Sequence, residues 1–470
     1  MKASPQLQLK PAEDRNFGAR WRIGMVTHLP RTARRGMTLV EMLAAMAVTL
    51  ILILALAQVF SIIGDNVADG RAIVEMSSSI RDTANRLQED LDAITIPARP
   101  WPEAGSGLGY LECLEGDGFD LAPNFPQWDA TQPLQSASIV GDCDDVLAFT
   151  VRSSGQPFVG RLSGTTIRSN VAEIIWWLEP NDTNKNGVWD WRPNEGLRET
   201  FSLRRRVLLV LPDRTGLPVG QTQPQFYLNN DLSVRNENGR LLANSLADLT
   251  RRQNRAGHRP EPGVGPASNV FPYVIVPSLG PRSLTVNPAS LMPRQGGAFR
   301  GEDVILDNVI GFDIKVFDPT VPIAAVAKNL EAVLPGDPSF NPTLQIDGYG
   351  GFVDLGFGRY QAGVSSTFSG RPHPKSQLSS SQYVYDTWSL DYEFDGFNQD
   401  QDNQIDEGTD GLDTLDQNGA FTFGVDDLNE RETSPPYPSP LRGIQIVIRT
   451  LDPDSRQVRQ ITVTSDFTPE

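Results

Sequence analysis

Polar and apolar residues alternate differently in successive parts of this 470-residue chain. Residues 1–36 are polar and mixed. Met37–Gly64, MTLVEMLAAMAVTLILILALAQVFSIIG, is almost continuously apolar, with Glu41 as its only charge. As a helix these 28 residues rise about 42 Å at 1.5 Å each, ample for a hydrocarbon core of about 30 Å. From Ile73 onward, Ile73, Met76, Ile80, Ala84, Leu87, Leu91 and Ile94 fall three or four apart. That spacing predicts one long helix over 37–96, membrane-spanning to about residue 64 and amphipathic beyond. Pro97 ends it, with Pro100 and Pro102 behind. The stripe reads as the surface onto which a C-terminal domain packs; a coiled-coil seam is the alternative.

Beyond Pro102 the pattern shortens to runs of period two bounded by Gly, Pro, Asn and Asp. DVLAFTV (145–151), VAEIIWWLE (171–179), FSLRRRVLLVL (201–211), NVIGFDIKVFD (308–318) and LRGIQIVIRTL (441–451) read as strands. Val458, Ile461 and Val463 follow the turn-like DPDS and predict a terminal hairpin. No strand–helix alternation is visible. The expected class is therefore α+β, a long helix packed on an antiparallel sheet over 97–470. Insertions lie at about 212–300, 320–381 and 395–430, and read as surface loops.

Composition adds a polarity to this layout. The formal net charge is -17. Residues 1–36 carry eight basic residues (Lys2, Lys10, Arg15, Arg20, Arg22, Arg31, Arg34, Arg35) against Glu13 and Asp14, a net +6, leaving -23 on the remainder. A basic flank before a spanning helix places the N-terminus in the cytoplasm. The acidic balance argues against recognition of nucleic acid as the main business. Three His and two Cys leave little room for zinc clusters, haem or a multi-disulfide scaffold. A secretory signal has a shorter apolar core and a small-residue cleavage site, neither of which is present.

Glu41 needs a reason, because a carboxylate in a membrane segment costs about 2.5–3.5 kcal/mol. The junction RRGMTLVEM resembles the type IV prepilin motif: basic residues, Gly36, hydrophobic Met37, and Glu41 as fifth residue of the mature chain. The resemblance implies cleavage between Gly36 and Met37 by a prepilin peptidase, methylation of the new amine, and pairing of Glu41 with the amine of a neighbouring subunit. Residues 1–36 are then a removable leader. Met37 departs from the Phe more usual in that family. The order of the later segments resembles the J-type minor pseudopilin of type II secretion, with the helix ending in LQEDLDAI, then DVLAFTV, EIIWWLEP, LRRRV, NVIGFDIKVFD and the closing hairpin. This implies a type IV pilin-like fold and a structural, non-catalytic subunit near the tip of a periplasmic pseudopilus. The implied partners are the I- and K-type minor pseudopilins and the major pseudopilin. The implied location is the bacterial inner membrane, single-pass, with the C-terminal domain in the periplasm.

Two loops have oxygen-ligand spacing. Asp182, Asn184, Asn186, Gly187, Val188 and Asp190 fit positions one, three, five, six, seven and nine of an EF-hand loop, Val188 through its carbonyl. Position twelve is Pro193, so a closing carboxylate must come from Glu195 or elsewhere. Asn398, Asp400, Asp402, Gln404 and Asp406 repeat the register and resemble bacterial calcium loops, with Asn403 where Gly is preferred. Between Ser376 and Glu430 there are 14 acidic residues and no basic one. Such a segment stays solvated or is neutralised by a cation, and calcium is the expected ligand of both loops. Turns or acidic loops without metal are the alternative. Cys113 and Cys143 either form a disulfide, worth roughly 3–4 kcal/mol in the chain-entropy model, or stay as buried thiols.

An enzyme is not indicated. His28 lies in the leader, and His258 and His373 have no nucleophile motif nearby. Trp176, Trp177, Trp189 and Trp191 would make an aromatic binding face, but strand alternation turns half of them into the core. The remaining alternatives are a minor pilin of a type IV pilus or DNA-uptake machine, and a membrane-anchored calcium-dependent binding module or hydrolase.

Overall fold

In the computed structural model the described residues are 38–102, 106–115, 141–143, 145–181, 197–259, 304–326, 331–370, 383–387 and 437–467. A few positions inside those spans are excepted, and a few two- or three-residue strands lie between them. The first element is a continuous helix, α1 (Leu39–Asp92). The chain divides into two compact units between Asn66 and Val67, inside this helix. In the first unit the apolar side chains from Leu39 to Ile63 are exposed, as a lipid-facing segment requires.

In the second unit α1 ends where Ala93 and Ile94 turn back onto Asp90 and Leu91. The chain then pairs with the sheet, Thr95 N–H donating to Thr150 O and Arg152 N–H to Ala93 O. The principal strands are β1 (Leu111–Glu115), β2 (Val146–Arg152), β3 (Phe158–Leu162), β4 (Thr165–Ser169), β5 (Val171–Pro180) and β6 (Phe201–Leu209). They continue with β7 (Val234–Glu237), β8 (Arg240–Ala243), β9 (Val304–Val326), β10 (Ile346–Val353), β11 (Tyr383–Asp386), β12 (Gly443–Leu451) and β13 (Val458–Asp466). Ten strands form one antiparallel sheet in the order β11-β1-β2-β5-β6-β9-β12-β13, with β10 and the short Glu331–Val333 strand also on β9. Hairpins β3–β4 and β7–β8 stand apart from it.

Both faces of the sheet are covered. On one face Ile80, Ala84, Leu87 and Leu91 of α1 pack with Leu147, Trp176, Leu203, Phe312 and Ile446. On the other, Tyr110, Ala148 and Trp177 pack with Phe226, Tyr227, Leu232, Val234, Leu241 and Leu249. The period-two geometry of β5 thus sends Trp176 toward the helix and Trp177 away from it. Neither tryptophan is on a binding face.

The second core corrects the reading of 212–300 as surface loop. Its stretch 212–259 forms a packing layer, with two buried arginines tying it to the sheet. Arg252 Nη2 donates to Glu112 Oε1 at 2.6 Å. Arg255 Nη1 reaches Glu112 Oε2 at 2.7 Å and Asp386 at 2.9 Å. The Arg255 guanidinium also lies 4.0 Å from the Tyr110 ring centroid. Beside them Glu173 accepts from Tyr110 Oη, Ser233 Oγ and Ala256 N–H at 2.6–2.9 Å. Burial pushes the Asp386 carboxyl up from its ordinary value, with Arg255 opposing.

The 320–381 segment is also less of a loop than expected. β9 runs on to Val326, β10 pairs with it, and Val321, Val353 and Phe357 make a small core. Of the two readings of the cysteines, the structure holds buried thiols: Cys113 and Cys143 are both buried and are not joined to each other. The β1–β2 register sets Cys113 opposite Leu147. Cys143 lies four residues earlier and is held by β9 instead, Gly141 N–H donating to Ile310 O and Phe312 N–H to Asp142 O.

Replacing Arg255 by Met leaves Glu112 and Asp386 buried with one fewer cation. Urea denaturation of the variant is expected to show a loss of about 3–5 kcal/mol. A loss below 1 kcal/mol would mean that the layer is not tied down by this pair.

Candidate functional site

The N-terminal end of α1 is built around Glu41. Thr38 is the residue before the helix, and its N–H donates to Glu41 Oε2 at 2.8 Å, its Oγ1 at 3.1 Å. In return Glu41 N–H donates to Thr38 Oγ1 at 3.3 Å. This is a capping box, three residues apart, that satisfies donors which a helix end leaves open. Within the single chain the carboxylate therefore has local partners, which lowers the cost of carrying it at the head of an apolar helix. It remains exposed along the helix surface, so an incoming cation can still reach it. Gly36 and Met37, the expected processing residues, lie outside the described residues. The T-x-x-E spacing in TLVE is itself a capping signature, and it shares its carboxylate with the prepilin motif.

Further along α1 the helix is fastened to the sheet by a second acid. Asp90 accepts from Arg205 Nε and Nη2, each at 2.7 Å, and from Trp176 Nε1 at 3.0 Å. All three side chains are buried. Bidentate geometry fixes direction as well as distance, so the rotation of α1 about its axis is set where it meets β5 and β6.

The first proposed calcium loop is described only in part. Val188 lies in a two-residue strand, Val188–Trp189, paired with Ser283–Thr285. Asp182, Asn184, Asn186 and Asp190 lie outside the described residues, as do Asn398, Asp400, Asp402, Gln404 and Asp406. The geometry does bring together a carboxylate group that sequence reading missed. Oxygens of Glu115, Asp142 and Asp145 lie within 4.8 Å of one another, and all three residues are buried. Asp145 Oδ2 accepts from Ile314 N–H at 2.6 Å. Such a trio can hold a hard cation. One positive charge is already supplied beside it by Lys315, which pairs with Asp354 and, at 3.2 Å, with Asp313. Burial works against the ammonium, but Asp313, Asp354 and, more weakly, Glu115 outweigh it and hold its pKa well above the ordinary lysine value. The clue in the sequence was Asp142 and Asp145 beside the start of a strand, with Glu115 at the end of its neighbour.

Comparison with known proteins bears on the N-terminus. Residues 31–57 match the family described as Prokaryotic N-terminal methylation motif. No curated protein and no solved structure matches the chain. The matched span contains the Gly36–Met37 junction, the Thr38–Glu41 cap and most of the apolar helix. The chain thus carries a prepilin-type signal at 31–57, on an apolar helix, Leu39–Gly64, long enough to cross a membrane once. An antiparallel β-sheet domain follows it.

Proposed function

We propose that this chain is a structural subunit of a pilin-like assembly, specifically a J-type minor pseudopilin at the tip of a type II secretion pseudopilus. The observation that carries the reading is the coincidence of the methylation motif with a capped, lipid-exposed Glu41 five residues after Gly36. Cleavage after Gly36 frees the Met37 amine. Methylated, it remains a cation at neutral pH. Glu41 of one subunit then exchanges its Thr38 hydrogen bonds for the amine of a neighbour, a pairing strengthened by the low dielectric of the membrane. No catalytic step is assigned to the chain. The secretion-type assignment is supported by the order of strands, which includes β2, β5, β6, β9 and the β12–β13 hairpin. It names the I- and K-type minor pseudopilins and the major pseudopilin as partners, and puts the sheet domain in the periplasm.

Calcium belongs to this proposal as a stabilising ligand. The support is chemical: two loops with oxygen donors on alternate residues, in a mature chain of net charge -23. The buried Glu115–Asp142–Asp145 trio is a less suitable place, because Lys315 already stands beside it.

Glu41→Gln keeps the cap donors occupied but removes the charge. The variant is expected to be cleaved and inserted normally, yet to lose co-isolation with the I- and K-type subunits from detergent extracts. Undiminished co-isolation would contradict the role given to Glu41. For calcium, saturation to a hundred times Kd adds about 2.7 kcal/mol. The melting temperature in calcium should therefore exceed that in EDTA by several degrees, and Asp400→Ala with Asp402→Ala should shrink the difference. Equal melting temperatures would remove calcium from the account.

A further inference from the structure

The tie between the inserted layer and the sheet is built on an unfavourable pair. Glu112 of β1 and Asp386 of β11 stand directly opposite each other in the antiparallel register. Both are 1% exposed. Like charges at directly opposed positions repel, and burial removes the water that would screen them. The layer answers with Arg252 and Arg255, but these serve the two acids unequally. Glu112 accepts the shorter bonds, from Arg252 Nη2 at 2.6 Å and from Arg255 Nη1 at 2.7 Å. Asp386 has both carboxylate oxygens on that same Arg255 Nη1, each at 2.9 Å. Its other contact, Arg252 Nε at 3.2 Å, is shared with Glu112 Oε2 at 3.3 Å. One nitrogen divided among three oxygens replaces the two-pronged grip that a guanidinium gives a well-held carboxylate.

Among the described residues, the other groups around this pair do not make up the difference. Tyr110, stacked on Arg255, keeps its proton, because burial and then Glu173 hold its pKa well above the ordinary value, and it donates to Glu173 at 2.8 Å. Cys113 is held as a thiol by burial, Glu112, Asp145 and Asp386. Tyr385 is raised mainly by burial and donates to Ala98 O. The next cation, Arg206, is taken up by Asp231. Three carboxylates, Glu112, Glu173 and Asp386, thus meet two guanidinium groups. The acid with the weakest grip is also the one whose carboxyl burial pushes above its ordinary value, with Arg255 opposing and Glu112 adding to the push.

We propose that this tie is a proton-sensitive latch: Asp386 takes up a proton as the layer docks, so mild acid tightens 212–259 on the sheet and rising pH loosens it. The proton cancels the repulsion from Glu112 and leaves the Asp386 carbonyl oxygen to accept from Arg255 Nη1. With the layer undocked, Asp386 meets water and ionises in the ordinary carboxylate range. Docked, it ionises at higher pH. The gain is therefore complete near the lower value and is lost as pH rises through the higher one. The latch does not depend on the assembly reading above.

The test follows the full chain in detergent by hydrogen exchange and mass spectrometry from about pH 8 down to about pH 4.5, with each rate divided by its intrinsic rate at that pH. Protection across residues 226–256 should rise as pH falls, by up to about tenfold per pH unit where one proton is taken up. Asp386→Asn, an uncharged mimic of the protonated side chain, should lose that rise and stay protected throughout. A protonated-carboxyl band that titrates in the infrared spectrum of the wild type and is missing from Asp386→Asn reads the proton itself. Wild-type protection that is flat or falls with acid would overturn the proposal, as would a rise that Asp386→Asn keeps or the absence of such a band.

Discussion

Three consecutive arginines on one strand show the constraint under which this domain folds. β5 and β6 are covered on both faces, so no charge on them can be left to water. Arg205 turns to the helix side and is taken up by Asp90. Arg206, on the opposite face, pairs with Asp231 at 3.0 Å and donates to Tyr227 O and Asn230 O. Arg204 pairs with Glu179 on the adjoining strand. Each of these three cations is therefore matched by an acid from a different element: the helix, the inserted layer and the neighbouring strand. Such pairs add little net stability over apolar residues of similar size, but removing one partner is costly. Their effect is to dictate which element lies on which face, and in what register.

The same constraint separates what was legible in the sequence from what was not. The predicted strand DVLAFTV is Val146–Arg152, and the closing hairpin is Gly443–Leu451 with Val458–Asp466, within one or two residues of expectation. The amphipathic stripe of α1 predicted the helix-facing core because its period is local. The inserted layer was missed because Phe226, Tyr227, Leu232, Val234 and Leu241 follow no period and are separated by Pro, Gly and Arg. Arg252 and Arg255 look like solvated charges until Glu112, about 140 residues away in the chain, is seen beside them. The expected strand ends at Asp318, before Pro319. In the structure the strand absorbs the interruption with a register shift between Asp318 and Pro322 and then continues.

At the other end of the chain, sequence carried nearly all the information. The basic run, Gly36, the T-x-x-E spacing and the apolar helix lie within a few tens of residues, and the methylation-motif match covers 31–57. The structure adds that Glu41 is already hydrogen-bonded within its own subunit. A carboxylate held in this way is less costly to carry at the head of an apolar helix.

The central claim is that Met37 becomes the N-terminus of the working protein, and intact-mass spectrometry of the chain extracted from membranes of cells with an active prepilin peptidase tests it most directly. The account predicts a chain shortened by residues 1–36 and heavier by one methyl group on the Met37 amine. A chain that keeps its leader in those cells, or one cut at another position, would contradict it.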